Sequence, residues 1–273
     1  MWSALAAPLV GSDSRIGLVA FVRQTLAVAE AELRKLRHDP MELLSRAVQP
    51  ALWLLIFGHV FTRVRDIPTG GLRYLDFLAP GILAQSVLFI AIFYGISVIW
   101  ERDLGILHKF LASPTPRTAL VLGKALSAGG RGLSQAALVY LLALLMGIDV
   151  RLSPAAVTGV AVFVLLGAAV FASLSLAVAC LVKTRERFMG MGQVMTMPLF
   201  FASNAIYPVS LMPGWLKAIA VMNPLTYEVD ALRALMIQGG QSLYGLGADL
   251  AVSLAILTVL VLLVARIYPW IVI

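Results

Sequence analysis

The sequence predicts an all-α polytopic membrane protein with six transmembrane helices. Three observations carry that prediction. The 273 residues are 60% hydrophobic and only 13% charged, with a mean hydropathy of +0.93, whereas soluble domains carry about a quarter charged residues. Several apolar runs exceed the roughly 20 residues that carry a helix across a bilayer. Charged residues gather in short stretches between those runs. Backbone groups in lipid must be satisfied within their own segment, so the spans are helices.

The elements follow in order. Residues 16–40 pattern as an amphipathic helix lying in the membrane interface. Phe21, Leu26, Val28, Leu33 and Leu36 oppose Arg23, Glu30, Glu32, Arg34, Lys35 and Arg37. His38-Asp39-Pro40 ends it, so residues 1–43 form an N-terminal region ahead of a six-span unit at 44–273. The first span covers 44–62, then a polar turn holds Pro68-Thr69-Gly70-Gly71. The second span covers 75–99. Residues 101–114 follow as a polar helix: Glu101, Arg102, Asp103 and Lys109 alternate with Leu104, Leu107, Phe110 and Leu111. Pro114 and Pro116 stop it. Its amphipathic pattern suits either a groove on a partner protein or a plain membrane surface.

The third span, 118–146, contains Gly123, Gly129, Gly130, Arg131 and Gly132, which predict an irregular or kinked start. The fourth covers 154–181 and the fifth 189–207, with Lys183-Thr184-Arg185-Glu186-Arg187 between them. Residues 208–247 are too apolar for a free loop and too interrupted to span. They pattern as helix, break at Asn223-Pro224-Leu225, and helix again, giving a re-entrant hairpin at 208–238. The sixth span covers 248–267. Fourteen basic residues fall on the side of the termini and the 101–114 helix, against six on the other. The positive-inside rule therefore places both termini and that helix in the cytoplasm, in a cell inner membrane.

Composition also excludes. A net charge of +7 and a pI near 9.9 would suit nucleic acid, but the basic residues flank spans and meet lipid head groups instead. Cys180 is the sole cysteine, so there is no internal disulfide and no cysteine metal site. The N-terminus lacks a basic n-region and is interrupted by Gly11-Ser12-Asp13-Ser14-Arg15, which predicts no cleavable signal peptide. No phosphate-cradling G-x-x-x-x-G-K-[ST] occurs, so the chain is expected not to be an ATPase. An intramembrane enzyme would need a constellation that His38, His59 and His108 do not supply. An ion-coupled secondary transporter would need a membrane carboxylate, and Asp76 and Asp249 lie at span ends.

The chain resembles the type-2 ABC exporter permeases, the family of drug-resistance and lipid-linked glycan exporters. The pieces are Arg37-His38-Asp39-Pro40, Phe77-Leu78-Ala79-Pro80-Gly81, Glu101-Arg102 with Gly105, Ser113-Pro114 with Arg117, and Asn223-Pro224-Leu225-Thr226-Tyr227 with Arg233. The resemblance implies a connecting helix at 16–40, a coupling helix at 101–114 and external re-entrant helices. It implies two permease copies, as a homodimer or with a close paralogue, pairing with two copies of a separate ATPase. No cofactor is expected in this chain; ATP and magnesium belong to the ATPase.

On that basis Glu101, Arg102, Leu104, Gly105, Leu107, Lys109 and Phe110 are expected to couple to the ATPase, the apolar residues in a groove and the charges at its rim. Arg34, Lys35 and Arg37 are expected on the same partner and on membrane lipids. Pro224, Tyr227, Glu228 and Arg233 are expected in the outer gate, where ion pairing among Glu228, Asp230 and Arg233 would offset burial. Phe57, Gln85, Phe89, Phe93, Phe200 and Asn204 are candidates for the substrate path, with Phe61, Met195 and Phe201 near them. The same aromatics equally suit lipid contact or helix packing. A hydrophobic or amphipathic drug or lipid is the expected cargo, with lipid-linked oligo- or polysaccharide as the alternative.

Overall fold

The computed structural model describes residues 23, 48–62, 68–104, 117–182 and 184–267. Its elements are helices: α1 (Val48–Phe61), α2 (Tyr74–Asp103), α3 (Arg117–Leu145), α4 (Pro154–Leu181), α5 (Arg185–Phe201), α6 (Gly214–Met222), α7 (Pro224–Met236) and α8 (Leu246–Ile267). Among the described residues the only β pairing is one antiparallel bridge between Val150 and Ile237. Four helices, α2, α3, α4 and α8, are long and apolar enough to cross a membrane, which makes the chain a multi-pass membrane protein. The described parts of α1 and α5 are shorter.

Helix α4 is the centre of the bundle and packs against α2, α3, α5, α7 and α8. Its most apolar stretch is 78% buried, against 17% for α8, which lies at the periphery. Small residues explain the central position: Gly159, Gly167, Ala168, Ala169, Ala172, Ser173 and Ser175 let neighbours approach closely. Ser153 accepts a hydrogen bond from the Ala156 N–H and Pro154 takes the first helical position, which starts the helix sharply.

Helix α3 differs from expectation. It runs unbroken from Arg117 to Leu145. Its glycines serve contact rather than bending: Gly129 faces Leu165 of α4, and Gly132 faces Val164 and Ala168. A glycine inside a helix costs about 1 kcal/mol relative to alanine, and close packing against α4 offsets that cost. The irregularity lies in α1 instead, where Trp53–Gly58 is π-helical.

At one end of the bundle, Arg73 forks onto both carboxylate oxygens of Asp76 (2.8 and 2.9 Å) and donates to the Gly147 carbonyl (2.7 Å). This hydrogen bond to Asp76 raises the guanidinium above its ordinary range. The Arg151 N–H donates to Met236 (2.7 Å) and the Gln238 N–H to Asp149 (2.8 Å). The α3–α4 turn, the start of α2 and the end of α7 are thereby tied together.

Gly81 lies where α2 meets the 202–207 turn, and a Cβ there would overlap the Ala205 carbonyl. Gly81→Ala is expected to destabilise the protein by about 1–3 kcal/mol, because a rigid backbone must move. Gly247→Ala, at an exposed position of α8 with open space around it, is expected to cost nothing. Thermal unfolding of the two variants in detergent checks the contrast.

Candidate functional site

Two polar clusters stand at opposite ends of the bundle. The first is built by the α6–α7 hairpin. The sequence Asn-Pro places a capping side chain before a residue fitted to the first helical turn, so α6 ends and α7 begins at one point. Asn223 accepts from the Leu225 N–H (3.0 Å), while its amide nitrogen donates to the carbonyls of Leu199 (2.7 Å) and Ala202 (3.1 Å). One side chain therefore caps α7 and satisfies the C-terminus of α5. The Tyr227 hydroxyl reaches back to the Val221 carbonyl (2.7 Å) and closes the hairpin.

Helix α7 then enters the core, packing against α2, α4 and α8. Glu228, Asp230 and Arg233 are all buried. The expected ion pairing among them is corrected by the geometry: no ion pair within 4.0 Å joins them among the described residues. Arg233 instead donates to the Asn204 carbonyl (2.7 Å) and the Phe77 carbonyl (3.4 Å), and its guanidinium lies 3.8 Å over the Phe77 ring. Asp230 accepts from the Ser242 hydroxyl (2.8 Å) and from the N–H groups of Leu243 (2.7 Å) and Tyr244 (3.0 Å). Burial raises the Tyr244 hydroxyl above its ordinary range, with Tyr227, Asp230 and Asp249 adding to the effect. Glu228 sits against Gly167, where a Cβ would overlap its carboxyl group, and neither of its oxygens has a hydrogen-bond partner. It is thus a carboxyl group buried among helices, besides the Asp76 and Asp249 that the sequence pointed to.

A cavity of about 350 Å³ opens beside this hairpin, between the 68–72 turn, the start of α2, the 204–210 segment and the 239–243 segment. A file of aromatic rings leads from α1 to Phe77 in its lining. Trp53 stacks on Phe57 (4.3 Å), Phe57 on Phe61 (6.1 Å), Phe61 meets Tyr74 (5.3 Å), and Tyr74 meets Phe77 (6.3 Å).

The second cluster closes the other end. Helix α2 does not stop before the polar stretch but continues through Asp103. Glu101 is consequently buried, and Lys124 of α3, only 1% exposed, donates to it at 2.5 Å. The rim position expected for Glu101 is corrected: the side chain points into the bundle and fastens α2 to α3. The Ser127 hydroxyl donates to Tyr94 (3.0 Å) next to this pair. Arg102 and Arg185 both donate to Asp103 (3.1 and 2.9 Å), and Arg185 lies 4.0 Å over the Trp100 ring. The end of α2 is thus held to the start of α5. Leu104, 67% exposed, is the last described residue on this side. Gly105, Leu107, Lys109 and Phe110 lie outside the described residues, as do Arg34, Lys35 and Arg37.

The six substrate-path candidates do not form one surface. Phe57 is exposed, and Phe89 and Phe93 are half-buried and stacked at 6.1 Å. Gln85, Phe200 and Asn204 are buried within the subunit, Phe200 edge-on to Trp53 at 5.5 Å. Pro224 is half-buried at the start of α7. Lys124 is a site residue that sequence reasoning does not single out, and Asn223, expected only as a break, is a helix cap as well. A lysine inside an apolar helix is itself a sign of a buried partner, and Asn before Pro is a helix-start signal.

Comparison with known proteins places residues 23–237 in a match to the family described as ABC-2 type transporter. The chain is 28% identical over 224 residues to the putative transport permease ycf38 of Cyanophora paradoxa, covering 79% of this chain and 74% of that protein. It is 26% identical over 260 residues to the daunorubicin resistance ABC transporter permease protein DrrB1 of Streptomyces coeruleorubidus, covering 95% and 91%. Nodulation protein J of Rhizobium leguminosarum bv. trifolii is 29% identical over 207 residues, covering 71% and 74%.

The Glu101–Lys124 pair gives a direct test of the second cluster. Removing one partner leaves a buried charge and is expected to cost about 3–5 kcal/mol. Glu101→Gln alone should therefore lower the yield of folded protein sharply. The double change Glu101→Gln with Lys124→Met should restore much of it, as read by monodispersity and unfolding midpoint in detergent.

Proposed function

The chain belongs to the ABC-2 type transporter family, matched over residues 23–237, and on that premise we propose that it is the membrane permease subunit of an ABC exporter. The cargo is a hydrophobic or amphipathic molecule, a drug or a lipid, moved outward and powered by a separate ATPase. The observation that carries this is the helix–break–helix unit: α6 and α7 meet at the capped Asn223-Pro224 break, and α7 is buried against the spans at one end of α2, whose other end leads into the polar 101–114 segment.

Helix α2 has 30 residues and so measures about 45 Å. Its first turns contact α7 and the 202–207 turn, and its last turn is fixed by Glu101 and Asp103. A push at the exposed Leu104 end would be carried along one stiff element to the hairpin end. The ATPase engages the coupling residues there, with Leu107 and Phe110 in its groove and Arg102 and Lys109 at the rim. The connecting helix, through Arg34, Lys35 and Arg37, lies against the same partner and lipid head groups. Both termini are cytoplasmic, α1 and α5 complete a set of six spans, and the hairpin is external.

A second permease copy seats on the faces of α1 and α5. Trp53 touches Phe200, so these helices are neighbours. Leu52, Leu55 and Val60 of α1 and Val194 and Phe201 of α5 are exposed large apolar side chains. Phe57 of α1 is exposed as well and is the substrate-path candidate best placed to meet cargo. The alternative cargo is a lipid-linked glycan; of the aromatic file from Trp53 to Phe77 only Phe57 is exposed for a sugar ring to stack on, since Tyr74 and Phe77 are buried. Purification with the ATPase, followed by a search for compounds that stimulate ATP hydrolysis, separates the two.

Four outcomes are expected. The chain alone hydrolyses no ATP; robust hydrolysis by the pure chain would end the proposal. In a Cys180→Ala background, Thr69→Cys and Gln241→Cys label from outside intact cells and Thr184→Cys does not; the reverse pattern would invert the topology. Leu107→Asp puts a charge into the docking groove at a cost of about 2–4 kcal/mol, so transport and ATPase association fall while insertion stays normal. Glu228→Gln should leave transport intact, because its carboxyl has no partner to lose. Loss of transport in that variant would favour proton coupling.

A further inference from the structure

The cavity beside the hairpin holds polar groups that the protein itself leaves unanswered. Its volume, about 350 Å³, falls in the range of small-molecule sites, roughly 300–1,000 Å³. Arg233 and Asp230 both line it. They stand three positions apart on α7, close enough to pair, yet they are held apart. Asp230 is drawn to Ser242, Leu243 and Tyr244, and Arg233 to the Asn204 and Phe77 carbonyls.

Two of the lining residues each carry a buried atom with no hydrogen-bond partner: Nε of Arg233, a donor, and Oδ1 of Asn204, an acceptor. Their side chains are only 6% and 2% exposed. A buried donor and acceptor left unmet weaken a fold, and a ligand that supplies both removes that cost. The charge pattern narrows the ligand. A simple anion would meet Arg233 but also Asp230, with Asp249 behind it through the shared Ser242 hydroxyl (2.9 Å). A simple cation would meet Asp230 but also the buried guanidinium. A molecule with both charges close together satisfies each. Leu72, Phe77, Pro208, Val209 and Leu243 supply apolar walls around these groups.

We infer that this cavity binds a zwitterionic head group of about the size of ethanolamine phosphate. Its anionic group sits on Arg233 and its ammonium faces Asp230. The inference rests on the cavity alone and stands whether or not the chain exports a drug. The same chemistry comes from two sources, a phospholipid head group or a free zwitterion, and the experiment separates them.

The full chain, purified in detergent, is followed by thermal unfolding with three additions: mixed micelles of phosphatidylethanolamine, mixed micelles of phosphatidylglycerol at the same mole fraction, and soluble O-phosphoethanolamine. Phosphatidylethanolamine is expected to raise the midpoint by a few degrees in a saturable way, and phosphatidylglycerol is not. A rise with O-phosphoethanolamine as well assigns the site to the free zwitterion; a rise with the lipid alone assigns it to the head group. Val209→Trp fills the cavity without cutting a hydrogen bond, and Asn204→Leu removes the unmet acceptor at similar volume. Both are expected to abolish the rise, and if one fails to fold the other carries the test. Equal rises with the two lipids, no rise with any addition, or a phosphatidylethanolamine rise that survives in a folded variant would overturn the inference.

Discussion

Close approach of helices to α4 is the constraint on which the rest of the structure depends. In lipid no hydrophobic effect drives helices together, so packing and polar contacts must do so. The glycines record how this is met. Gly129 and Gly132 bring α3 onto α4, Gly159 admits Leu235 and Gly167 admits Glu228 from α7. Gly95 of α2 lies against Ser175 of α4 and Phe188 of α5, and its N–H donates to the Ser175 hydroxyl (3.1 Å). Side chains at these points would push the bundle apart, and both polar clusters would lose their geometry.

The clusters do different work. At the hairpin end, one asparagine caps α7 and satisfies the end of α5, so the hairpin's position is set by backbone hydrogen bonds. Arg233 extends the same logic by reaching two carbonyls on different elements. At the other end, Lys124 and Glu101 fasten α3 to α2 through a buried charge pair, and Asp103 gathers two arginines from α2 and α5. Helix α2 belongs to both clusters. It runs unbroken from Tyr74 to Asp103 and is anchored at both ends, as the transmission proposed above requires.

The faces left apolar and exposed are equally informative. Helix α8 turns most of its surface outward, as a lipid-facing helix does. Helices α1 and α5 do so while also touching each other and carrying exposed aromatics, which suits a protein partner of like character. The π-helical turn in α1 falls at this face, where the exposed Phe57 stacks on Trp53 and Trp53 lies edge-on to Phe200.

The sequence by itself determined the helical membrane class, the helix break at Asn223-Pro224 and the family; of the six spans it predicts, four are described as helices long and apolar enough to cross a membrane. Each of these is written in local patterns: apolar run length, Asn before Pro, charges between runs. The tertiary structure decided what those patterns cannot hold. Glu101 reads as one more charge in a polar stretch, and only the continuation of α2 to Asp103 turns it inward to Lys124. The glycines of α3 read as a kink, and only the neighbouring α4 makes them a packing surface. Gln85, Phe200 and Asn204 read as path residues, and only the packed bundle buries them within the subunit. The ion pairing expected of Arg233 with Asp230 required knowing that backbone N–H groups of the 243–244 turn and the carbonyl of Asn204 compete for the same charges. Local spacing fixes which face of a helix a residue occupies, but a contact depends on which other helix arrives at that face.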